Sequence, residues 1–306
     1  MRAIVTGGTG FIGKSLVKRL KKERWKIYVV TRYEGKAKRV LGEDINELVW
    51  DKTPYFPEAD VIFNIAGEIR GRKYEDFKKG NVDFVRQVLN KSKGKAEKFV
   101  HLSSLAAAGP SPECEPLDET AESPISLYGR SKLEGERVVK ENADHWVILR
   151  PSAVFGPGDM AFLELFRVIK RGFVPLVNEQ ILSMVFVEDL TEAIINSLNV
   201  SENEVFNVCG KEPISYWDFA LKVAEKIGVR KVRKLRIPYS LAVAAAFLSQ
   251  TFSPGSMFHV DKVREGKEKC WIATPEKAFK YGLFTETPLD EAIALTIQWY
   301  RERGLI

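Results

Sequence analysis

Tyr128 and Lys132 stand four residues apart in Tyr128-Gly129-Arg130-Ser131-Lys132, a spacing that puts both side chains on one face of a helix. A free phenol, with a pKa near 10, is a poor proton shuttle at neutral pH, but an adjacent ammonium favours the phenolate and lowers that value. Tyr128 beside Lys132 therefore has the makings of a general acid or base. Ser103 and Ser104 close the run Lys98-Phe99-Val100-His101-Leu102, where a hydroxyl can hydrogen-bond the same reacting oxygen. Taken alone, such a Tyr/Lys pair is a common feature of helix surfaces. Its meaning comes from what precedes it.

The chain opens Ala3-Ile4-Val5-Thr6-Gly7-Gly8-Thr9-Gly10-Phe11-Ile12-Gly13: an apolar run, a glycine cluster and the start of an amphipathic segment. In a dinucleotide fold the first glycine makes the turn, the second lets the main chain approach a pyrophosphate, and the third lets the helix lie close on the sheet. The free N–H groups at the helix start then face the phosphates. Gly8-x-Gly10-x-x-Gly13 and Gly7-x-x-Gly10-x-x-Gly13 both fit. So does the nucleoside-triphosphate pattern, through Gly8-Thr9-Gly10-Phe11-Ile12-Gly13-Lys14-Ser15. Phe11 and Ile12 favour the dinucleotide reading, because they suit the first inward turn of a helix running on through Leu16, Val17 and Leu20.

A second apolar run, Lys26 to Thr31, ends at Arg32. NAD enzymes carry a carboxylate there for the ribose 2′-hydroxyl, whereas an arginine accommodates the 2′-phosphate of NADP. Arg32, with Lys36, Lys38 and Arg39 following, makes NADP the expected cofactor and NAD the alternative. Asp51, at the end of the run Glu47–Asp51, could reach the adenine. Ala66-Gly67, after Asp60–Ile65, forms a small-residue turn over which the cofactor can pass.

These residues need elements to hold them. Strand-like runs at 3–6, 26–31, 47–51, 60–65, 98–102 and 146–149 alternate with helical stretches, including those near 75–93 and 126–142. Alternation of this kind predicts an α/β fold with a doubly wound, parallel Rossmann sheet and right-handed crossovers. Beyond Arg150-Pro151 the pattern loosens, with further strands at 183–187 and 204–208 around a helix near 188–199. The expected division is a cofactor-binding domain over 1–150, to which 181–209 returns, and a small C-terminal substrate-binding cap from 151–180 and 210–306.

Composition excludes several classes. The +6 formal charge comes from 47 basic residues scattered among 41 acids, a poor nucleic-acid footprint. The densest basic run, Arg230 to Arg236, is interleaved with apolar residues and reads as a solvated strand edge. Cys114, Cys209 and Cys270 are far apart, odd in number and without a C-x-x-C pair, so neither a disulfide framework nor a metal site is expected, and a reducing cytoplasm fits. A strand beginning at residue 3 leaves no room for a signal peptide. The apolar run Leu241–Leu248 falls short of the roughly 20 residues of a membrane span and reads as a core, interface or pocket-wall helix, with Phe252, Met257 and Phe258 following it.

In combination, Thr6 to Gly13, Asn81-Val82, Leu102-Ser103-Ser104, Tyr128-x-x-x-Lys132, Arg150-Pro151, Val185 to Leu190 and Trp299-Tyr300-Arg301 stand in an order and approximate spacing that resemble the extended short-chain dehydrogenase/reductases. The resemblance covers nearly the whole chain. It implies hydride transfer at a nicotinamide, with Tyr128 as acid/base and Lys132 binding the ribose and tuning Tyr128. Ser104 would polarise the substrate oxygen, Asn81 would hold the central helix and its water, and Pro151 would line the cofactor. A homodimer through the helices near 75–93 and 126–142 is implied as well.

Two branches of that family compete. Nucleotide-sugar epimerases and dehydratases usually carry an Asn where this chain has Ala153, and an Arg before the Val-x-Val strand where it has Gln180-Ile181-Leu182-Ser183-Met184. A diphosphate without cationic partners is costly to desolvate, although Arg167, Lys170 and Arg171 offer charge nearby. Arg32 and the apolar 241–248 stretch lean toward the branch resembling dihydroflavonol reductase and hydroxysteroid dehydrogenase. The expected activity is NADP(H)-dependent oxidation or reduction at a carbonyl or secondary alcohol of a small substrate, whose hydrophobic character the 241–248 stretch suggests. The alternatives are an epimerase/dehydratase with tightly bound NAD and a non-catalytic NADPH-binding accessory protein.

Overall fold

The computed structural model describes residues 1–252 and 260–306, without side chains for 249–252. The side chain of Phe252, and Met257 and Phe258, which the sequence set beside the apolar helix, lie outside the described residues.

β1 (Arg2–Thr6) buries Ala3, Ile4 and Val5 completely, as expected of a strand covered on both faces. The glycine turn leads into α1 (Phe11–Lys22), whose buried stripe is Gly13, Leu16, Val17 and Leu20. There follow β2 (Lys26–Thr31), α2 (Lys36–Leu41), β3 (Asn46–Val49) and β4 (Ala59–Asn64). Next come α3 (Tyr74–Lys78), α4 (Phe84–Ser92), β5 (Ala96–Leu102), α5 (Leu127–Asn142) and β6 (Trp146–Pro151). Between α3 and α4 the helix the sequence predicts as continuous widens into a π turn over Lys79–Asp83. Asp51 lies in a 3₁₀ turn after β3 and not in the strand.

The later elements are β7 (Ala153–Phe155), α6 (Met160–Lys170), β8 (Phe173–Leu176), β9 (Ile181–Leu182), β10 (Met184–Phe186), α7 (Val187–Asn196) and β11 (Glu204–Val208). β12 (Ile214–Ser215), α8 (Tyr216–Ile227), β13 (Arg233–Arg236) and α9 (Tyr239–Phe252) come next. α10 (Val260–Lys267), β14 (Cys270–Trp271), α11 (Glu276–Lys280) and α12 (Leu289–Glu302) close the chain.

Among the described residues, seven strands form one sheet in the order β11-β6-β5-β4-β1-β2-β3, every pair parallel. The fold is therefore α/β with a Rossmann-like sheet. Ala3 and Val5 face the core shared with Leu16, Leu20, Leu190 and Ile194. Ile4 faces the opposite one, with Val85, Val88, Val138 and Val139. Each such Val, Leu or Ile side chain contributes about 1.5–3 kcal/mol by leaving water. The order of the sheet reverses at β1, leaving a crevice between the carboxyl ends of β1 and β4, the place where ligands bind in open α/β sheets.

The cap is built differently. α6, α8 and α12 enclose an aromatic cluster in which Phe219 meets Phe155 edge-on at 5.5 Å and Phe166 meets Tyr300 at 5.4 Å. The strand predicted at 183–187 does not enter the main sheet: β10 pairs with β7, because the chain turns away at Ser152 before β7. α9 divides its apolar residues between two faces, Ala242 and Ala246 being buried while Leu241 and Leu248 are 61% and 55% exposed. β13 is exposed along its length and, among the described residues, pairs with β8 alone, the edge expected of the basic run.

One expectation is overturned. Cys114 and Cys270, which the sequence leaves unpaired, form a disulfide with their Cα atoms 5.2 Å apart across a separation of 156 residues. The cause is tertiary: the Ser111 N–H donates to the Cys270 carbonyl at 2.9 Å, bringing the loop after β5 alongside β14. Linear spacing carries no trace of that contact, and the argument from cysteine spacing for a reducing compartment falls with it. Cys209 is a buried free thiol. No helix among the described residues is long and apolar enough to cross a membrane.

Candidate active site

The turn after β1 is shaped by close approaches. Gly7 has φ +70, and a Cβ on it would sit 2.7 Å from the Ala66 nitrogen at the end of β4. A Cβ on Gly13 would fall 2.1 Å from the Gly7 carbonyl oxygen, so only glycine lets α1 start this near the strand. Gly10 caps α1 with no side-chain hydrogen bond, which leaves the first-turn N–H groups of Phe11, Ile12 and Gly13 for an anion. Thr9 is half-buried in the turn.

The cradle fits a dinucleotide pyrophosphate. It does not fit the triphosphate pattern: Ser15, which that pattern reserves for a metal-bound nucleotide, accepts a hydrogen bond from Thr191 of α7 at 2.9 Å, and Lys14 points to solvent. Ile12 packs against the core. Phe11 instead reaches toward Gly158 at the entrance to the cap.

Ser104, Tyr128 and Lys132 converge at the carboxyl edge of β5. Tyr128 lies in the first turn of α5, capped by Ser126, whose Oγ accepts from the Gly129 N–H at 2.9 Å. Its phenol is hydrogen-bonded to Ser104, and its ring rests 6.3 Å from that of Phe77. Lys132 is buried, and its Nζ donates to the Leu102 carbonyl at 2.6 Å. Burial draws its pKa down to about 8, against the pull of the Glu136 carboxylate.

The Tyr128 phenol departs from the expectation drawn from its spacing to Lys132. It is pushed above its ordinary value, chiefly by burial, and also by the Glu265 carboxylate; the Ser104 hydrogen bond and Lys262 act the other way. The Lys132 amine is turned to the main chain of β5, so the lowering the helix spacing suggests comes instead from Ser104 and from a lysine of the cap.

Ser103 and Ser104 are separated by their partners. The Ser103 hydroxyl donates to Glu136, which also binds Arg150 through two bonds of 2.9 and 2.7 Å. Arg150 spends its remaining donors on the carbonyls of Glu119 and Ala121 at 3.0 Å. This fully buried ion pair fastens α5 to β6, and it commits Ser103 to structure. Ser104 is left for the phenol.

Asn81 sits in the π turn, a feature often found at functional positions. Its Oδ1 accepts from the Glu68 N–H at 2.7 Å, while its Nδ2 donates to the Glu68 carbonyl at 2.8 Å and to the Ser131 hydroxyl at 2.9 Å. It thus ties the loop after β4 to α5. A Cβ on Gly67 would lie 3.1 Å from Asn81 Oδ1 and 3.6 Å from Lys132 Nζ, which puts the Ala66-Gly67 turn beside the Tyr128/Lys132 face.

Pro151 ends β6, opposite Val208. Arg32 and Asp51 are exposed beyond the carboxyl ends of β2 and β3, three and four strands along the sheet from β5, whose end leads to Ser104. Asp261 and Glu265 of α10, which sequence reading passed over, are buried against the start of α5. Two carboxylates one turn apart were the only linear signal, and such pairs are common on solvated helices.

With this geometry in view, a model of the NAD dependent epimerase/dehydratase family matches residues 3–209. The chain is 28% identical over 315 residues to a ceramide reductase of Caulobacter vibrioides (strain NA1000 / CB15N), covering 98% of this chain and 94% of that one. UDP-glucuronic acid 4-epimerase from Bacillus cereus, solved with UDP-glucuronic acid and NAD, is similar with a TM-score of 0.77 at 21% identity, covering 99% of this chain and 100% of that one. Human epimerase family protein SDR39U1 (isoform 2), solved with NADPH, gives 0.79 at 20% identity over 97% of this chain and 99% of that one. The two structural likenesses are of fold. The match from β1 to the end of β11, over a glycine turn and a parallel sheet of the required form, means that this chain belongs to the NAD dependent epimerase/dehydratase family, among the extended short-chain dehydrogenase/reductases.

Proposed function

We propose that the protein is an NADP(H)-dependent oxidoreductase acting on a carbonyl or secondary alcohol of a small, apolar substrate. The observation that carries the reading is the Ser104–Tyr128 hydrogen bond at the carboxyl edge of the parallel sheet, with Lys132 buried one helical turn away. Gly7, Thr9, Gly10, Phe11, Ile12 and Gly13 would hold the pyrophosphate, Arg32 the 2′-phosphate, Asp51 the adenine side, and Ala66, Gly67 and Pro151 the passage toward the nicotinamide. When bound, the nicotinamide supplies or accepts the hydride.

The chain's own groups handle the proton. Ser104 Oγ and Tyr128 Oη hold the substrate oxygen, and Tyr128 donates its proton as negative charge grows there. A phenol raised above its ordinary pKa is protonated at neutral pH, the form that carbonyl reduction requires. Lys132 keeps a positive charge under the site, and Asn81 fixes the loop against which α5 rests. The relative named ceramide reductase supports an apolar carbonyl substrate, as does the absence of a cation immediately before β10, where Gln180 to Ser183 stand. A homodimer is the proposed assembly.

The test is NADPH oxidation, followed by fluorescence, against a panel of apolar ketones and aldehydes; turnover supports the reading. The second reading, a nucleotide-sugar epimerase, is favoured by the fold shared with the Bacillus cereus enzyme. Mass spectrometry of the purified protein separates the two, because retained NAD together with a nucleotide sugar would overturn the first.

A further inference from the structure

α10 reaches from the cap onto the start of the helix that carries Tyr128. Asp261, 7% exposed, accepts from the Leu127 N–H at 2.9 Å through Oδ1 and from the Tyr128 N–H at 3.0 Å through Oδ2. One turn on, Glu265 Oε1 accepts from the Ser126 hydroxyl at 2.7 Å, and that hydroxyl accepts from the Gly129 N–H. The first three N–H groups of α5 are thus satisfied by one local cap, Ser126, and one carboxylate, Asp261, while a second carboxylate, Glu265, holds the capping hydroxyl; both acids lie more than 130 residues away in the chain. A helix start left without acceptors is costly when buried, so α5 is fully seated only when α10 is.

We propose that Asp261 and Glu265 are positioning residues that join the cap to Tyr128, so that the acid/base is correctly placed only while α10 rests on α5. The inference builds on the assignment of Tyr128 under the proposed function. α10 is itself anchored: the Glu265 carbonyl accepts from Trp271 Nε1 at 3.1 Å and from Gln180 Nε2 at 3.2 Å. Trp271 adjoins Cys270, whose disulfide leads back to the loop after Ser104. One side of the reacting oxygen's site and the helix start on the other are therefore held by the same piece of cap. A latch of this kind lets occupation of the substrate side be felt at the proton donor.

The groups that face the Tyr128 phenol are Ser104 from the loop after β5 and Glu265 and Lys262 from α10; α3 contributes the Phe77 ring, and Lys132, on the same helix, is turned to the Leu102 carbonyl. Glu265 raises the phenol's pKa and Lys262 lowers it, the two being paired at 2.9 Å. Opposite charge changes on α10 must then move the titration of Tyr128 in opposite directions, which a purely structural contact would not do.

The experiment measures kcat, KM and NADPH affinity across pH for the full chain carrying Asp261→Ala, Asp261→Asn, Glu265→Gln or Lys262→Gln, with Tyr128→Phe alongside. Asp261→Ala should lower kcat on the order of 10- to 100-fold, the scale of a misplaced catalytic group, with NADPH affinity unchanged. Asp261→Asn, which keeps one acceptor, should recover part of that loss. Glu265→Gln should move the limb governed by Tyr128 to lower pH, and Lys262→Gln should move it to higher pH. Wild-type kcat in Asp261→Ala together with unmoved profiles in both α10 charge variants, while Tyr128→Phe is inactive, would overturn the latch alone. Full turnover in Tyr128→Phe would overturn the assignment beneath it.

Discussion

The cofactor cradle and the support of the proton donor lie side by side but are built on opposite plans. The cradle takes its shape from contiguous sequence: β1, four turn residues and the first helical turn, closed by a glycine whose Cβ would collide with the Gly7 carbonyl at 2.1 Å. The Tyr128 helix start is held by Asp261 and Glu265, and the Ser104 loop is tied through Cys114 to Cys270. Backbone geometry can be specified locally, and backbone N–H groups suffice to hold a phosphate. Placing a phenol against a variable substrate requires side chains from the element that meets the substrate, which in the proposed function is the cap. Perturbing the two regions should therefore damage different observables.

The largest expected effect sharpens that division. Tyr128→Phe removes the transferable proton and leaves the ring against Phe77, so turnover should fall about 10²- to 10⁴-fold while NADPH affinity, measured by fluorescence titration, stays near wild type. A parallel loss of affinity would mean that the two regions do not separate. Next in size is the cap. Cys114→Ser removes a bridge across 156 residues, and loss of such a cross-link costs about 2–4 kcal/mol of stability. A lower Tm with NADPH affinity unchanged is expected; an unchanged Tm would show that hydrogen bonds such as Ser111 to Ile272 seat the cap without the bridge. The reverse case is Gly13→Ala. Its methyl must displace main chain at Gly7 and Gly8, at a cost of about 1–3 kcal/mol, and the loss should appear as weaker NADPH binding. Unchanged binding would show that the turn yields more easily than its contacts suggest.

The same division explains how much could be read in advance. The strands of the main sheet are legible because fully buried parallel strands leave continuous apolar runs, and the turn after β1 because glycine is required where main chain meets main chain. Tyr128, Lys132, Ser104 and Asn81 are legible by their order and spacing, yet their environment is not. No pattern announces that Ser103 is bound to Glu136 and Arg150, or that Lys132 turns to the Leu102 carbonyl. The π turn at Asn81 leaves an apolar periodicity too close to that of an ordinary helix to be told apart. The partner of β10 is not legible, because a three-residue apolar strand looks the same whichever strand it pairs with. The disulfide and the Asp261 latch depend on contacts between segments more than 130 residues apart, and their residue types are unremarkable where they stand.

Arg32 offers the subtlest way to probe the comparison, because it belongs to the cradle by sequence but not by packing. It is exposed just past the end of β2, unlike the glycines, whose roles are fixed by collisions. A guanidinium there gains its interaction only when a 2′-phosphate arrives, through a charge-assisted, bidentate contact. Much of that contact stays in water and is screened, so the preference it confers is moderate, about tenfold, or roughly 1.4 kcal/mol. Arg32→Asp should reverse it: repulsion weakens NADPH, and the carboxylate can accept from the ribose 2′-hydroxyl of NADH. The ratio of kcat/KM for the two cofactors is the measurement, with kcat at saturation as the control, since a change in selectivity that leaves kcat alone places Arg32 wholly on the cofactor side. An unchanged ratio would transfer the choice to Lys36, Lys38 and Arg39, and the cradle would then extend through α2 instead of ending at β2.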